Sequence, residues 1–308
     1  MLSAGWIFMI IFVTLETVLA YILSLFILVA GVNSLRTGQK LNPSDVIHLV
    51  IGVVNVVFQC LLTLQGLLSK LYFYLLCIRE FYGPITVGTL TLTYFTFWLT
   101  AWLCIYYCIT ISTFKQPFFA WTKRNISMYL PHLLLLSATG CFLTSLPSIW
   151  MATVQVSPQS SVNSSLDSKS INCTVHVQPL YIQSVSFVGC YAPFLLILAS
   201  IIVTNSSLMR HLWKMRQKES GLSQTKVQAH VNAIRTMWLF LTISIIFCIS
   251  EILLFSLNPN PEDYRIVVSW LVFKSFPAAE SLVIIFSNPK LRRQIMVKIL
   301  CFYQKLQM

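Results

Sequence analysis

Seven long apolar runs are the feature that most constrains how this chain can fold. They cover residues 6–32, 46–68, 84–112, 129–151, 180–208, 231–257 and 266–287. A helix of about 20 apolar residues spans the hydrocarbon core of a bilayer, and every run reaches that length. Only 10% of the residues are charged, where a soluble domain carries roughly a quarter, and the mean hydropathy is +0.76. The sequence therefore predicts an all-α membrane protein, a single seven-helix bundle over residues 1–308.

The basic residues predict the orientation of this bundle. With the N-terminus outside, sixteen of the 21 Lys and Arg residues fall on the inner face, four fall outside, and Lys274 lies within the seventh run. Because cytoplasmic loops carry an excess of Lys and Arg, this asymmetry predicts an outer N-terminus and a cytoplasmic C-terminus. The net charge of +12 then fits a face that contacts anionic membrane lipids, with no nucleic acid as partner. An amphipathic basic segment at 290–303 is expected to lie along this inner surface.

The longest connection, residues 152–179, is an outer loop in this orientation. It carries two glycosylation sequons, which begin at Asn163 and Asn172. Cys77 and Cys173 also face the oxidising side, so a disulfide between them and two free thiols are both open. Most of the other cysteines lie inside apolar runs, where they are expected to be buried free thiols.

Four charged residues lie inside the apolar runs, where charge is costly and usually has a function. Glu251 and Lys274 are at similar depths, so they form either a structural ion pair or ligand contacts; both readings are open. Glu16 and Glu280 lie deeper. There, hydrogen bonds between helices are favoured over ligand binding.

A polar stripe and a group of aromatic residues predict a binding pocket in the outer half of the bundle. Threonines recur every three or four residues in the third run and so share one helix face. Small-molecule sites combine such polar groups with apolar walls, although these threonines can also bond to their own helix and the aromatics can simply pack. The candidate ligand-binding residues are Thr89, Thr93, Tyr94, Thr96, Phe97, Phe187, Phe247, Glu251, Trp270 and Lys274.

Catalytic signatures are absent from the sequence. It has no glycine-rich phosphate loop, no paired-cysteine zinc motif and no Gly-x-Ser-x-Gly nucleophile. We therefore expect a protein that is not an enzyme and that has no cofactor and no metal.

Four motifs at the predicted inner ends resemble those of the bitter (type 2) taste receptors, a family of seven-helix G-protein-coupled receptors. They are Leu103-Cys-Ile-Tyr106-Tyr107 with the following Thr110 to Phe114, Ser207-Leu208-Met-Arg210-His211, His230-Val-Asn-Ala233-Ile234-Arg235-Thr236, and Glu280-Ser281 with Asn288-Pro-Lys290-Leu291. Thr110 and Glu280 stand where the family has Lys and His, and Asn55 where it often has Arg. The chain therefore resembles a divergent member.

The resemblance implies a plasma-membrane receptor for small organic bitter compounds that activates a heterotrimeric G protein of the gustducin or inhibitory class. It implies no cofactor. The coupling residues that it suggests surround the inner ends of the helices and a basic loop at 115–124: Tyr107, Phe114, Lys123, Arg124, His211, His230, Arg235 and Lys290.

Two other functions remain open at this point. A vomeronasal-type pheromone receptor has the same architecture, but the four motifs favour the taste family. A small transporter would also use buried charges. Transporters usually contain internal repeats, and none is evident between the halves of this sequence.

Overall fold

The computed structural model describes residues 4–38, 41–72, 78–111, 117–158, 171–216, 224–256 and 264–306. Seven of the helices in these ranges are long and apolar enough to span a membrane, which confirms the predicted bundle. A helix satisfies its backbone hydrogen bonds internally, as a bilayer requires. We call the end of the bundle that carries the N-terminus the outer end and the opposite end the inner end.

The helices are bounded as follows: α1 Ala4–Arg36, α2 Pro43–Leu71, α3 Arg79–Ile111, α4 Pro117–Ser145, α5 Ser148–Met151, α6 Pro179–Ser186, α7 Ala192–Arg216, α8 Gln224–Ser256, α9 Tyr264–Ser287 and α10 Pro289–Leu306. A π-helical turn, Phe187–Tyr191, connects α6 to α7. The fourth span combines α4 and α5, and the fifth span combines α6, the π turn and α7. The sixth and seventh spans are α8 and α9.

The third span is the centre of the bundle. It packs against the second, fourth, fifth and sixth spans, while the first and seventh spans pack against each other. In its most apolar window 56% of the residues are buried, as in the seventh span, against 22% in the fourth. The third span therefore contacts most of the interior, and the fourth presents most of its surface to the surroundings.

Two features differ from the sequence-based expectation. The connection at 152–179 contains an antiparallel hairpin of β1 (Ala152–Pro158) and β2 (Ile171–Val177), which the all-α prediction did not include. The fourth helix begins at Pro117, well before residue 129, so Lys123 and Arg124 lie on a helix and not in a loop. A hydropathy run marks only the part of a helix that is apolar, and this helix continues beyond that part.

Candidate functional site

A buried hydrogen-bonded cluster joins the third, fifth and sixth spans at the predicted pocket. The hydroxyl of Tyr94 donates to Oε1 of Glu251 at 3.1 Å, and Oγ of Ser186 donates to the same oxygen at 3.1 Å. Each of these side chains is at most 4% exposed. The second carboxylate oxygen of Glu251, Oε2, is buried and has no hydrogen-bond partner among the described residues. Because such an oxygen is costly to leave unpaired, it can accept a donor from a bound molecule.

The backbone of the fifth span makes room for the ring of Tyr94. A Cβ atom at Gly189 would overlap three ring atoms of Tyr94, the farthest of which, Cδ2, would be 2.7 Å away. Gly189 lies in the π turn, and Pro193 follows shortly after it. Proline cannot donate the helical hydrogen bond to the carbonyl four residues earlier, that of Gly189, which favours a local departure from α-helix. Thus the glycine and the π turn together let Tyr94 reach Glu251.

Aromatic rings form an apolar cluster beside these polar groups. The Phe97 ring centroid lies 4.8 Å from that of Phe247 and 5.1 Å from that of Phe276, and Phe247 and Phe276 are 4.7 Å apart. Phe273 extends the cluster, with its ring centroid 5.1 Å from that of Phe247. Such distances are typical of favourable aromatic pairs. The structure therefore brings the predicted Phe97 and Phe247 together, next to Tyr94 along the third span.

The threonine stripe is largely bonded to its own helix. The hydroxyls of Thr89, Thr93 and Thr96 each donate to the carbonyl four residues earlier, at 2.7 to 2.8 Å. Thr93 and Thr96 are buried, and Thr89 is half-buried. Their hydroxyl protons are thus already used, so toward a ligand these residues can offer an oxygen acceptor or a methyl group.

A second buried network joins the first, second, third and seventh spans around Glu280. Thr100 donates to Oε1 of Glu280 at 2.6 Å, and Nδ2 of Asn55 donates to Oε2 at 2.9 Å. Asn55 and Ser24 both contact Oγ of Ser281, at 3.4 and 3.1 Å. Glu280 is 0% exposed. The hydrogen bonds between helices that the sequence favoured at this position are therefore present.

Lys274 lies on the seventh span beside Trp270, and both were candidate ligand contacts. Its Nζ atom lies 5.5 Å from the centroid of the Trp270 ring, within the range of a cation–π interaction. Lys274 also attracts the carboxylate of Glu16 on the first span electrostatically. Glu16 is 8% exposed, and its oxygens have no hydrogen-bond partner among the described residues, in contrast to the expectation for this residue. Lys274 is thus linked to the first span, while hydroxyl groups hold Glu251.

Phe187 is a predicted pocket residue that the structure does not bring into these clusters. Its side chain is 58% exposed, so it belongs to the outer surface of the fifth span. A cavity of about 400 Å³ between the sixth and seventh spans reaches the aromatic cluster at Phe247 and Phe276. Its other lining residues are apolar or small.

The predicted coupling residues with described side chains lie at the inner ends of helices. Tyr107 is half-buried in the last turns of the third span, and Arg124 and Arg235 are exposed. Nζ of Lys123 donates to the carbonyl of Thr110 at 3.0 Å and so ties the fourth helix to the third. Lys290 is 66% exposed. Phe114 lies outside the described residues, as do the side chains of His211 and His230, although their backbones are helical.

The outer-loop predictions fall mostly outside the described part of the chain. Asn172 and Cys173 are in β2, where only the backbone is described, and Cys173 is paired in register with Val156. Asn163 and Cys77 lie outside the described residues. Glycosylation and the Cys77–Cys173 disulfide thus stay predictions.

Sequence reasoning missed several residues that complete these clusters. Ser186, Gly189 and Phe276 were not candidates, and Thr100 and Asn55 were not connected with Glu280. Thr100 continues the threonine stripe, so the helical spacing could have identified it. Ser186 and Gly189 gave no such signal, because their role depends on the π turn and on the position of the Tyr94 ring.

Comparisons with known proteins agree over the whole bundle. A family model for "Taste receptor protein (TAS2R)" matches residues 1–304. The chain is similar to taste receptor type 2 member 143 of Rattus norvegicus, with 32% identity over 208 residues, 65% of this chain and 68% of that protein. Taste receptor type 2 member 2 of Homo sapiens is 25% identical over 291 residues, 91% of each chain. Member 40 of Gallus gallus is 29% identical over 198 residues; the match spans 64% of each chain.

Proposed function

The chain belongs to the bitter (type 2) taste receptor family, and we propose that it binds small organic molecules in the outer half of its bundle and activates a heterotrimeric G protein. Family membership favours this function over a vomeronasal-type receptor and over a transporter. The observation that carries the ligand site is that Oε2 of Glu251 is buried and has no hydrogen-bond partner within the part of the chain that the structure describes.

In this proposal a ligand places a hydrogen-bond donor against Oε2 of Glu251 and an apolar part against the aromatic cluster. Glu251 is already oriented by Tyr94 and Ser186, so one bound molecule engages the third, fifth and sixth spans together. A ligand shifts a receptor toward its active state only by binding that state more tightly. A ligand that contacts three spans can bind the active state more tightly than the inactive state if the spans change their relative positions between the two states.

The partner binds at the inner end, which we propose to be cytoplasmic. Exposed basic side chains there, at Arg124, Arg235 and Lys290, suit acidic groups on a G protein of the gustducin or inhibitory class. Tyr107 lies on the same helix as Tyr94, so the third span connects the ligand site to this surface.

The test is a Glu251→Gln variant in cells that report calcium or cAMP against a panel of bitter compounds. Glutamine keeps the shape but presents an amide donor, so it can no longer offer two acceptor oxygens. A hydrogen bond to a charged group contributes about 1.5–3 kcal/mol, so the concentration for half-maximal response should rise at least about tenfold for ligands that carry a donor.

Ser250→Ala is the matched control. Ser250 is the neighbouring buried residue, and its hydroxyl donates to Ile246 of its own helix. We expect wild-type responses and surface expression from this variant. Unchanged potency of every active compound on the Glu251→Gln receptor would remove Glu251 from the ligand site, and uptake of compounds without signalling would support the transporter.

A further inference from the structure

Two cavities meet at the inner end, where α10 packs beside the first and second spans. One has a volume of about 320 Å³ and reaches Asp45, His48 and Lys290. The other, of about 330 Å³, runs between the first span and α10 past Val29 and Val297. Both are lined by Ala30, Arg293 and Gln294, so they form one continuous groove.

The first cavity holds charged and polar groups among apolar side chains such as Leu49 and Leu291, and we call it the polar chamber because it has an excess of positive charge. Lys290 and Arg293 contribute two positive charges, and Asp45 contributes one negative charge. The Lys290–Asp45 contact is 3.8 Å long, and Lys290 is 66% exposed, so this pair is weak and leaves Lys290 able to turn toward another anion. Asn288 caps α10 by accepting from the amide of Lys290 at 3.0 Å, which fixes the start of the helix at the chamber wall. The chamber suits an anion with a single charge.

The second cavity, which we call the apolar channel, is lined mainly by apolar side chains, with Asn33, Arg293 and Gln294 as its polar residues, and it opens to the surroundings. Val29 is 45% exposed and Val297 is 51% exposed, and Phe26 lies beside them. Val29 lies on the first span and Val297 on the amphipathic helix α10, and exposed apolar side chains on such a helix favour contact with lipid, so hydrocarbon is the natural occupant of the channel. The channel begins at Arg293, where the polar chamber ends.

We propose that this groove binds one anionic phospholipid, with its phosphate in the polar chamber between Lys290 and Arg293 and an acyl chain in the apolar channel. A polar chamber alone would suit any small phosphate, and an apolar channel alone would suit any lipid. Because Arg293 lines both cavities, the groove favours a molecule that carries a phosphate and an acyl chain next to each other. This site is separate from the ligand pocket, and it shares Lys290 with the G-protein surface proposed above.

The experiment uses the full-length receptor purified in a neutral detergent and measures bound lipid by native mass spectrometry. The probes are phosphatidylglycerol, with a net charge of −1, and phosphatidylcholine with the same acyl chains. A partly exposed ion pair contributes up to about 1 kcal/mol, so we expect up to roughly fivefold preferential retention of phosphatidylglycerol. In neutral detergent there is no anionic surface, so diffuse attraction does not contribute.

Arg293→Gln should abolish most of this preference, and Asp45→Asn should increase it because it removes the negative charge from the chamber. Arg292→Gln is the matched control: it removes the same charge from the neighbouring residue of α10, which lines neither cavity. The control should retain the wild-type preference. Thermal melting of each variant confirms that it is folded.

Three results would overturn the proposal. Equal retention of the two lipids would show that charge is not recognised. Equal losses in Arg292→Gln and Arg293→Gln would show general attraction to a basic helix and not a site. Displacement of the lipid by millimolar glycerol phosphate would show that a free phosphate is the ligand and that the channel contributes nothing.

Discussion

Replacing Gly189 by alanine tests how the cluster of Tyr94, Ser186 and Glu251 is built. The added Cβ would overlap three atoms of the Tyr94 ring, with even the farthest only 2.7 Å away. Carbon atoms in contact are about 3.5–4.0 Å apart, so the ring or the fifth span must move by roughly 1 Å. Such overpacking typically costs about 1–3 kcal/mol. Because the Tyr94–Glu251 hydrogen bond is already 3.1 Å long, a shift of that size would break it.

The assay combines thermal unfolding of the purified receptor with the cellular dose response. Gly189→Ala should lower both the melting temperature and the agonist potency. Gly140→Ala is the control, because nothing lies within 4 Å of its added Cβ, and a Gly-to-Ala change inside a helix is favourable by up to about 1 kcal/mol. In a Tyr94→Ala background the ring is gone, so the Gly189 substitution should cost little. An equal cost in both backgrounds would refute this account of the π turn.

Three further predictions test the other clusters and the orientation. Glu280→Gln should destabilise the receptor by about 1.5–3 kcal/mol, because the amide nitrogen of glutamine would face the donor of either Thr100 or Asn55. Thermal unfolding measures this loss of stability. The control is Glu80→Gln at an exposed position, which should have no effect. Lys274→Met should change the agonist dose response at normal surface expression, and a loss of expression alone would assign Lys274 a structural role with Glu16. Asn172→Gln should increase gel mobility if the hairpin faces outside, and unchanged mobility would contradict glycosylation there.

The sequence predicted the bundle because a membrane imposes a simple length and polarity rule on each helix. Because charge is costly inside an apolar run, the charged residues in these runs were recognised as unusual, and hydrogen bonds between helices were correctly favoured for Glu280. The length and polarity rule could not identify the partners of Glu251. An ion pair between Glu251 and Lys274 was one of two open alternatives, and it was based on depth alone, which carries no information about which faces of two helices meet. The structure instead surrounds Glu251 with hydroxyl groups and links Lys274 to Trp270 and Glu16.

Local backbone departures were the other limit. Phe187 was a candidate as an aromatic residue in the outer half of the fifth span, but it begins the π turn and its side chain is 58% exposed. The hairpin at 152–177 was also missed, although alternation at Val154, Val156, Val175 and Val177 is typical of strands. The polar composition of the whole connection indicated a loop, and this overall composition concealed the two short stretches in which apolar and polar residues alternate.

The third span connects the two buried clusters in a way that can transmit a change. Tyr94 contacts the Glu251 cluster, and Thr100, six residues later and so about 9 Å deeper, donates to Glu280. A helix is stiff over that distance, so a rotation of the third span that optimises Tyr94 for a ligand must also move Thr100 relative to Glu280. That hydrogen bond is short, at 2.6 Å, and it holds the third span to the seventh. Weakening it would free the inner half of the third span, and with it Tyr107, to adopt a second position. We therefore propose that a ligand bound at Glu251 would bias the equilibrium of the Glu280 network.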